Sequence, residues 1–139
     1  MLSATDSAAA SQRLRILVAE DDDDTRALLV AGLQHEGHNA VALEDGFELG
    51  DYLELSSSQA SNELEPDVVL TDLQMPGRSG LEVLREARRQ GFTCPFIVVT
   101  AYADASLCAA AHSLEPAYVL RKPFDLDQVV ALLAQATGR

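Results

Sequence analysis

At 139 residues and 47% hydrophobic side chains, the chain is sized for one domain built around a single core. Its 22 acidic residues against 10 basic ones leave a net charge of −12, which repels polyanions and argues against direct nucleic-acid binding. The longest apolar runs, such as 96–99, are too short to span a bilayer, the opening MLSATDSAAASQ lacks the features of a signal peptide, and Cys94 and Cys108 form no C-x-x-C pair, so a reduced, cytoplasmic setting is expected.

Residues 1–12 read as a flexible tail. LRILVA is the first strand-like run, and it passes directly into five consecutive carboxylates, Glu20 to Asp24. A helical pattern follows from about Asp23 to Glu36 and stops at Gly37. Asp22, Asp23 and Asp24 suit the first turn of that helix, where its dipole favours negative charge, with Asp23 or Asp24 as the cap. NAVAL is the second strand, and Phe47 to about Leu55 is helical. SSSQASNELEP is a polar loop or an extension of that helix. DVVLTD, bounded by Pro66, is the third strand. SGLEVLREARRQG carries a Ser79 cap, apolar Leu81, Leu84 and Ala87 on one side, cations late in the helix, and Gly91 as its stop. FIVVT is the fourth strand. DASLCAAAHSLE repeats apolar residues at Leu107, Ala110, Ala111 and Leu114, AYVLR is the fifth strand, and DLDQVVALLAQAT places Leu126, Val129, Val130 and Leu133 on one face.

Five alternations of strand and helix predict an α/β fold, a doubly wound parallel sheet with helices on both faces. Ligands of such sheets bind beyond the carboxyl ends of the strands. That edge gathers Glu20 and Asp21 after the first strand, Asp72 at the end of the third, Thr100 at the end of the fourth and Lys122 after the fifth. Like charges at a buried strand end repel and resist desolvation, so a positive partner is implied. Three carboxylates make a hard-oxygen site for Mg²⁺, with Mn²⁺ as an alternative occupant. Asp72 then suits a nucleophile toward phosphorus, Lys122 a partner for a phosphoryl oxygen, and the Thr100 hydroxyl a donor to another. Taken alone, an Asp at a strand end such as Asp72 is usually a helix cap, and it is the other strand-end residues that favour the nucleophile. Gly77, Ser79 and Gly80 read as turn and cap residues, and His35, His38 and His112 lack metal-ligand spacing and belong to the surface.

The motifs ILVAEDD, VVLTDLQMPGRSGLEVL, IVVTAYAD and VLRKPFD stand in the order and spacing of receiver domains of bacterial two-component response regulators, and over roughly 14–136 the chain resembles that family. The resemblance implies a receiver domain over 13–139 with a flavodoxin-like five-stranded sheet of order 2-1-3-4-5. It implies Glu20 and Asp21 as the acidic pair, Asp72 as phosphoacceptor, Thr100 as switch hydroxyl and Lys122 as phosphate partner. It also implies the Gln74 backbone carbonyl as a metal ligand and a cis Lys122–Pro123 peptide. A histidine kinase or phosphotransfer protein would supply the phosphoryl group, and the chain would catalyse its own phosphorylation and dephosphorylation without turning over a separate substrate. The face of the fourth helix, fifth strand and fifth helix would then meet a downstream protein, an output domain outside this chain, or a second copy of it.

Gln74 and Tyr102, each two residues beyond a site residue, would flank the path of hydrolytic water to the phosphoryl group. Departures from the family pattern also matter. Three residues before Lys122, where the family commonly has an aromatic side chain, stands Val119, and strand alternation turns neighbouring Tyr118 to the opposite face. A threonine–aromatic switch of the usual form is therefore not expected. The stretch from Gly46 to Asp72 is longer than the family pattern, with the excess near SSSQASNE, and no role is legible for 56–65. Two rival readings remain open. A haloacid-dehalogenase-type phosphatase needs a second Asp two positions after the nucleophile, where this chain has Gln74. A pseudo-receiver that only binds partners typically loses an acidic or lysine site residue, and none is lost here.

Overall fold

The computed structural model describes residues 13–58, 64–101 and 105–138. Strands β1 (Arg15–Ala19), β2 (Asn39–Leu43), β3 (Val68–Asp72), β4 (Phe96–Thr100) and β5 (Ala117–Arg121) alternate with helices α1 (Asp23–His35), α2 (Gly46–Ser58), α3 (Gly80–Arg89), α4 (Ala105–His112) and α5 (Leu126–Thr137). All neighbouring strands pair in parallel, in the order β2-β1-β3-β4-β5. This is the doubly wound, flavodoxin-like sheet that the alternation and the family motifs predict. No described helix is long and apolar enough to cross a membrane.

Every residue of β3 and β4 is buried, as continuous apolar runs in the middle of a parallel sheet require, whereas β2 and β5 at the edges keep exposed positions. Strand alternation then sorts the core into two layers. Leu17, Ala19, Val69, Phe96 and Val98 pack with Leu49 and Leu53 of α2, Leu81, Leu84 and Ala87 of α3, and Ala111 of α4. On the other face, Ile16, Val18, Leu70, Ile97 and Val99 meet Leu29 and Leu33 of α1 and Val129 and Leu133 of α5. Leu84 is fully enclosed, so truncating it to alanine would cost about 2–5 kcal/mol. Among the described residues no buried side-chain nitrogen or oxygen lacks a hydrogen-bond partner.

One local detail differs from the reading of the sequence. The cap of α1 is Asp22 rather than Asp23 or Asp24: its backbone is extended, with φ −79° and ψ 117°, and its side chain accepts from the Thr25 N–H. In a run of acids any member can cap, and the position where the chain leaves the strand decides which one does. Helix α2 continues past Leu55 to Ser58, the extension that the sequence left open beside a loop, and there the Ser56, Ser57 and Ser58 hydroxyls each donate to a carbonyl three residues back. The rest of the long polar insertion, 59–63, lies outside the described residues, as do 1–12 of the expected tail.

Candidate functional site

The parallel register brings the carboxyl ends of the strands to one edge, with Asp72 beside Val99 and Thr100 beside Arg121. Glu20 follows β1 and is buried, its N–H donating to the Leu43 carbonyl at 3.1 Å and its Oε2 accepting from the Asp22 N–H at 3.1 Å. Asp21 is exposed. Asp72 closes β3 with only 7% of its surface accessible. Its Oδ1 accepts from the Gln74 N–H at 3.0 Å, and its Oδ2 faces Lys122 Nζ at 2.8 Å. The same ammonium lies 3.4 Å from Glu20 Oε1, and the Lys122 N–H donates to the Thr100 carbonyl at 2.9 Å. Thr100 is buried at the end of β4, and the Lys122–Pro123 peptide is cis.

The structure thus brings together Glu20, Asp21, Asp72, Thr100 and Lys122, with Gln74 touching Asp72 through its backbone. One carboxylate oxygen from each of Glu20, Asp21 and Asp72 falls within 4.8 Å of the others. Such a cluster of hard donors, two of them buried, fits a small divalent cation of the Mg²⁺ or Mn²⁺ kind. Burial raises the Glu20 carboxyl above its ordinary value; the Asp22 amide opposes this and repulsion from Asp72 adds to it. Burial also works against the Lys122 charge, but hydrogen bonds and attraction from Asp72 and Glu20 outweigh it and hold the ammonium above the ordinary lysine value. Lys122 is therefore charged at neutral pH.

Of the expected modulators, Val119 packs in the layer of α2, α3 and α4, while Tyr118 packs in that of α1 and α5. The opposite facing of the two residues is as strand alternation predicts. Tyr102 lies outside the described residues. One neighbour of the site went unread in the sequence. Arg26 on α1 donates from Nη1 to the Glu20 carbonyl at 2.8 Å, pairs with Asp23, and lies 3.7 Å from Glu44 Oε1. Its spacing three residues after Asp23 was the only available signal. Together Lys122 and Arg26 supply part of the positive charge that the acidic run demands.

A family model described as the response regulator receiver domain matches residues 16–134. Among curated proteins, the chain is similar to the DNA-binding transcriptional regulator NtrC of Escherichia coli (strain K12), with 34% identity over 125 residues, covering 90% of this chain and 25% of that protein. It is also similar to the alkaline phosphatase synthesis transcriptional regulatory protein SphR of Synechococcus elongatus, with 34% identity over 124 residues, covering 88% of this chain and 48% of that one. The chain therefore spans a quarter to a half of the length of these relatives. Among solved structures, the BeF3-activated receiver domain of NtrC superposes with a TM-score of 0.72 at 32% identity, covering 91% of this chain and 96% of that one. A Francisella response regulator receiver domain superposes at 0.77 with 23% identity, covering 91% and 98%, and supports the fold alone.

Proposed function

The chain belongs to the response regulator receiver domain family, and from that premise we propose that it is a phosphorylation-operated switch whose phosphoacceptor is Asp72. The observation that carries this reading is the placement of Lys122 Nζ, 2.8 Å from Asp72 Oδ2 and 3.4 Å from Glu20 Oε1, beside three clustered carboxylates. Glu20, Asp21, Asp72 and the Gln74 backbone carbonyl are the ligands we assign to Mg²⁺, which when bound supplies positive charge against the phosphoryl oxygens.

The remaining chemistry belongs to the chain. Asp72, aligned by the Gln74 N–H and by Lys122, attacks the phosphorus of a partner's phosphohistidine. An O–P bond forms, the P–N bond breaks, and the imidazole leaves. The negative charge that arrives draws Lys122 from the carboxylate to a phosphoryl oxygen, and the Thr100 hydroxyl donates to another. Because Lys122 follows β5 and Thr100 ends β4, that rearrangement bears on the face of α4, β5 and α5, which we assign to a downstream protein or to an output domain in a longer chain. With Val119 in place of an aromatic ring, Thr100 would act on this face by shifting its own backbone and that of α4.

Intact-mass measurement after incubation with a small phosphodonor and Mg²⁺ tests the assignment. One base-labile phosphoryl group is expected on the wild-type chain and none on Asp72→Asn. Equal labelling of the variant would move the site elsewhere. Absence of labelling in the wild type would favour a binding module, and steady turnover of a small phosphoester would favour a phosphatase.

A further inference from the structure

Glycine in a helix costs about 1 kcal/mol relative to alanine, and Gly46, the first residue of α2, has no positive φ to require it. Its bare α-carbon is explained by what lies against it. A methyl group there would fall 2.6 Å from the Arg78 carbonyl carbon and closer still to the oxygen, where 3.4–4 Å is ordinary contact. Arg78 belongs to the loop 73–79 between β3 and α3. That loop carries Gln74, whose N–H holds Asp72 Oδ1.

The same end of α2 meets the loop twice more. The Phe47 ring lies over Gly77, where a methyl group would come 2.9 Å from its Cδ2, and the Arg78 guanidinium reaches over Gly50. Phe47 is still 58% exposed, so burying the ring is not what stations it there. The platform itself is braced, because Asp45 Oδ1 accepts from the Glu48 N–H at 2.9 Å and Glu48 Oε1 from the Glu44 N–H at 2.7 Å. The loop's two ends are closed on each other where the Gly80 N–H, at the start of α3, donates to the Leu73 carbonyl at 3.0 Å.

We propose that the first turn of α2 is a stop against which the β3–α3 loop seats, and that Gly46 is a positioning residue for Asp72 acting through Arg78 and Gln74. The proposal rests on the reading of Asp72 as phosphoacceptor. A side chain at Gly46 would have to push the Arg78 carbonyl, and the loop with it, more than about 1 Å away to reach ordinary contact, and a misplacement of about 1 Å can slow a reaction roughly a hundredfold.

The test compares Gly46→Ala with Gly91→Ala in the full chain. Gly91 has a φ of +93° and open space around it, so alanine there strains the backbone and lowers stability without touching the loop. The first readout is the Gln74 amide resonance in ¹⁵N-labelled protein. The second is the rate of labelling by acetyl phosphate at saturating Mg²⁺. Gly46→Ala is expected to move the resonance and slow labelling at least tenfold, while Gly91→Ala, at comparable loss of stability in urea, keeps both at wild-type values. An unmoved Gln74 resonance in folded Gly46→Ala, or equal slowing in Gly91→Ala, overturns the proposal. If Gly46→Ala does not fold, Phe47→Ala, which removes the ring without adding a clash, must move the Gln74 resonance or the proposal fails. A wild-type chain that takes no label would defeat the phosphoacceptor reading, and the Gln74 resonance would still decide the positioning role.

Discussion

Mg²⁺ is expected to raise the thermal midpoint of the wild-type chain, because the oxygens of Glu20, Asp21 and Asp72 come within 4.8 Å only when β1 and β3 are paired. A ligand that binds the folded state alone stabilises it by about 2.7 kcal/mol at 100 times its dissociation constant. For 139 residues, an unfolding entropy of about 2.1 cal/mol/K per residue converts that into a shift of about 9 °C. Two variants separate a site from general screening. Asp21 is exposed, so Asp21→Asn hardly alters the metal-free midpoint. If it weakens binding a hundredfold, only about 0.4 kcal/mol remains at the same Mg²⁺ concentration, a shift of 1–2 °C or roughly so. Lys122→Met removes the ammonium 2.8 Å from Asp72 Oδ2. Its metal-free midpoint is expected to fall while its Mg²⁺ shift is kept or enlarged, since the metal becomes the sole cation between two buried carboxylates. Scanning calorimetry at fixed ionic strength reads all three proteins. Identical wild-type midpoints at saturating Mg²⁺, or a full shift in Asp21→Asn, would refute the cluster as a metal site.

Ser79→Ala is expected to cost about 1 kcal/mol in urea unfolding, because Ser79 Oγ accepts from the Glu82 N–H at 3.1 Å as one half of a capping box. Arg88→Met strips the Phe92, Leu114 and Pro116 carbonyls of donors at 2.8 Å. A loss of about 2 kcal/mol or more is expected, only partly recovered by lysine, which lacks the planar fork. Burial pushes the Cys94 thiol up to about 11 from 9.0, with the nearby Arg88 charge pulling the other way. A thiol held protonated is a poor nucleophile, so in Cys108→Ser the remaining thiol should be alkylated at pH 8 about a hundredfold more slowly than free glutathione, rising toward pH 11. Equal rates at pH 8 would contradict the burial.

How far sequence reasoning reached depends on which distances a pattern can encode. β3 and β4 are legible as strands because burial on both faces demands unbroken apolar runs. α3 is legible because Ser79, the apolar spacing and the late arginines agree. The end of α2 is not, since its last turn is held by serine hydroxyls turned back on the helix, a solution available to the same residues in a loop. The site follows a similar division. Glu20, Asp72, Thr100 and Lys122 can be grouped in advance because each stands at a strand's carboxyl end, and parallel pairing carries all those ends to one edge. What the chain cannot announce is how charge is balanced there. Along the sequence Glu20 has only acids beside it for the next four positions, which invites the conclusion that a metal must supply all of the missing charge. In the fold, Arg26 reaches its carbonyl and Lys122, from the far end of the domain, reaches its carboxylate. The acidic edge is therefore held together before any metal arrives. On the proposed reading, Mg²⁺ would complete a charge balance that two side chains have already begun, and a phosphoryl group arriving at Asp72 would compete for the same lysine.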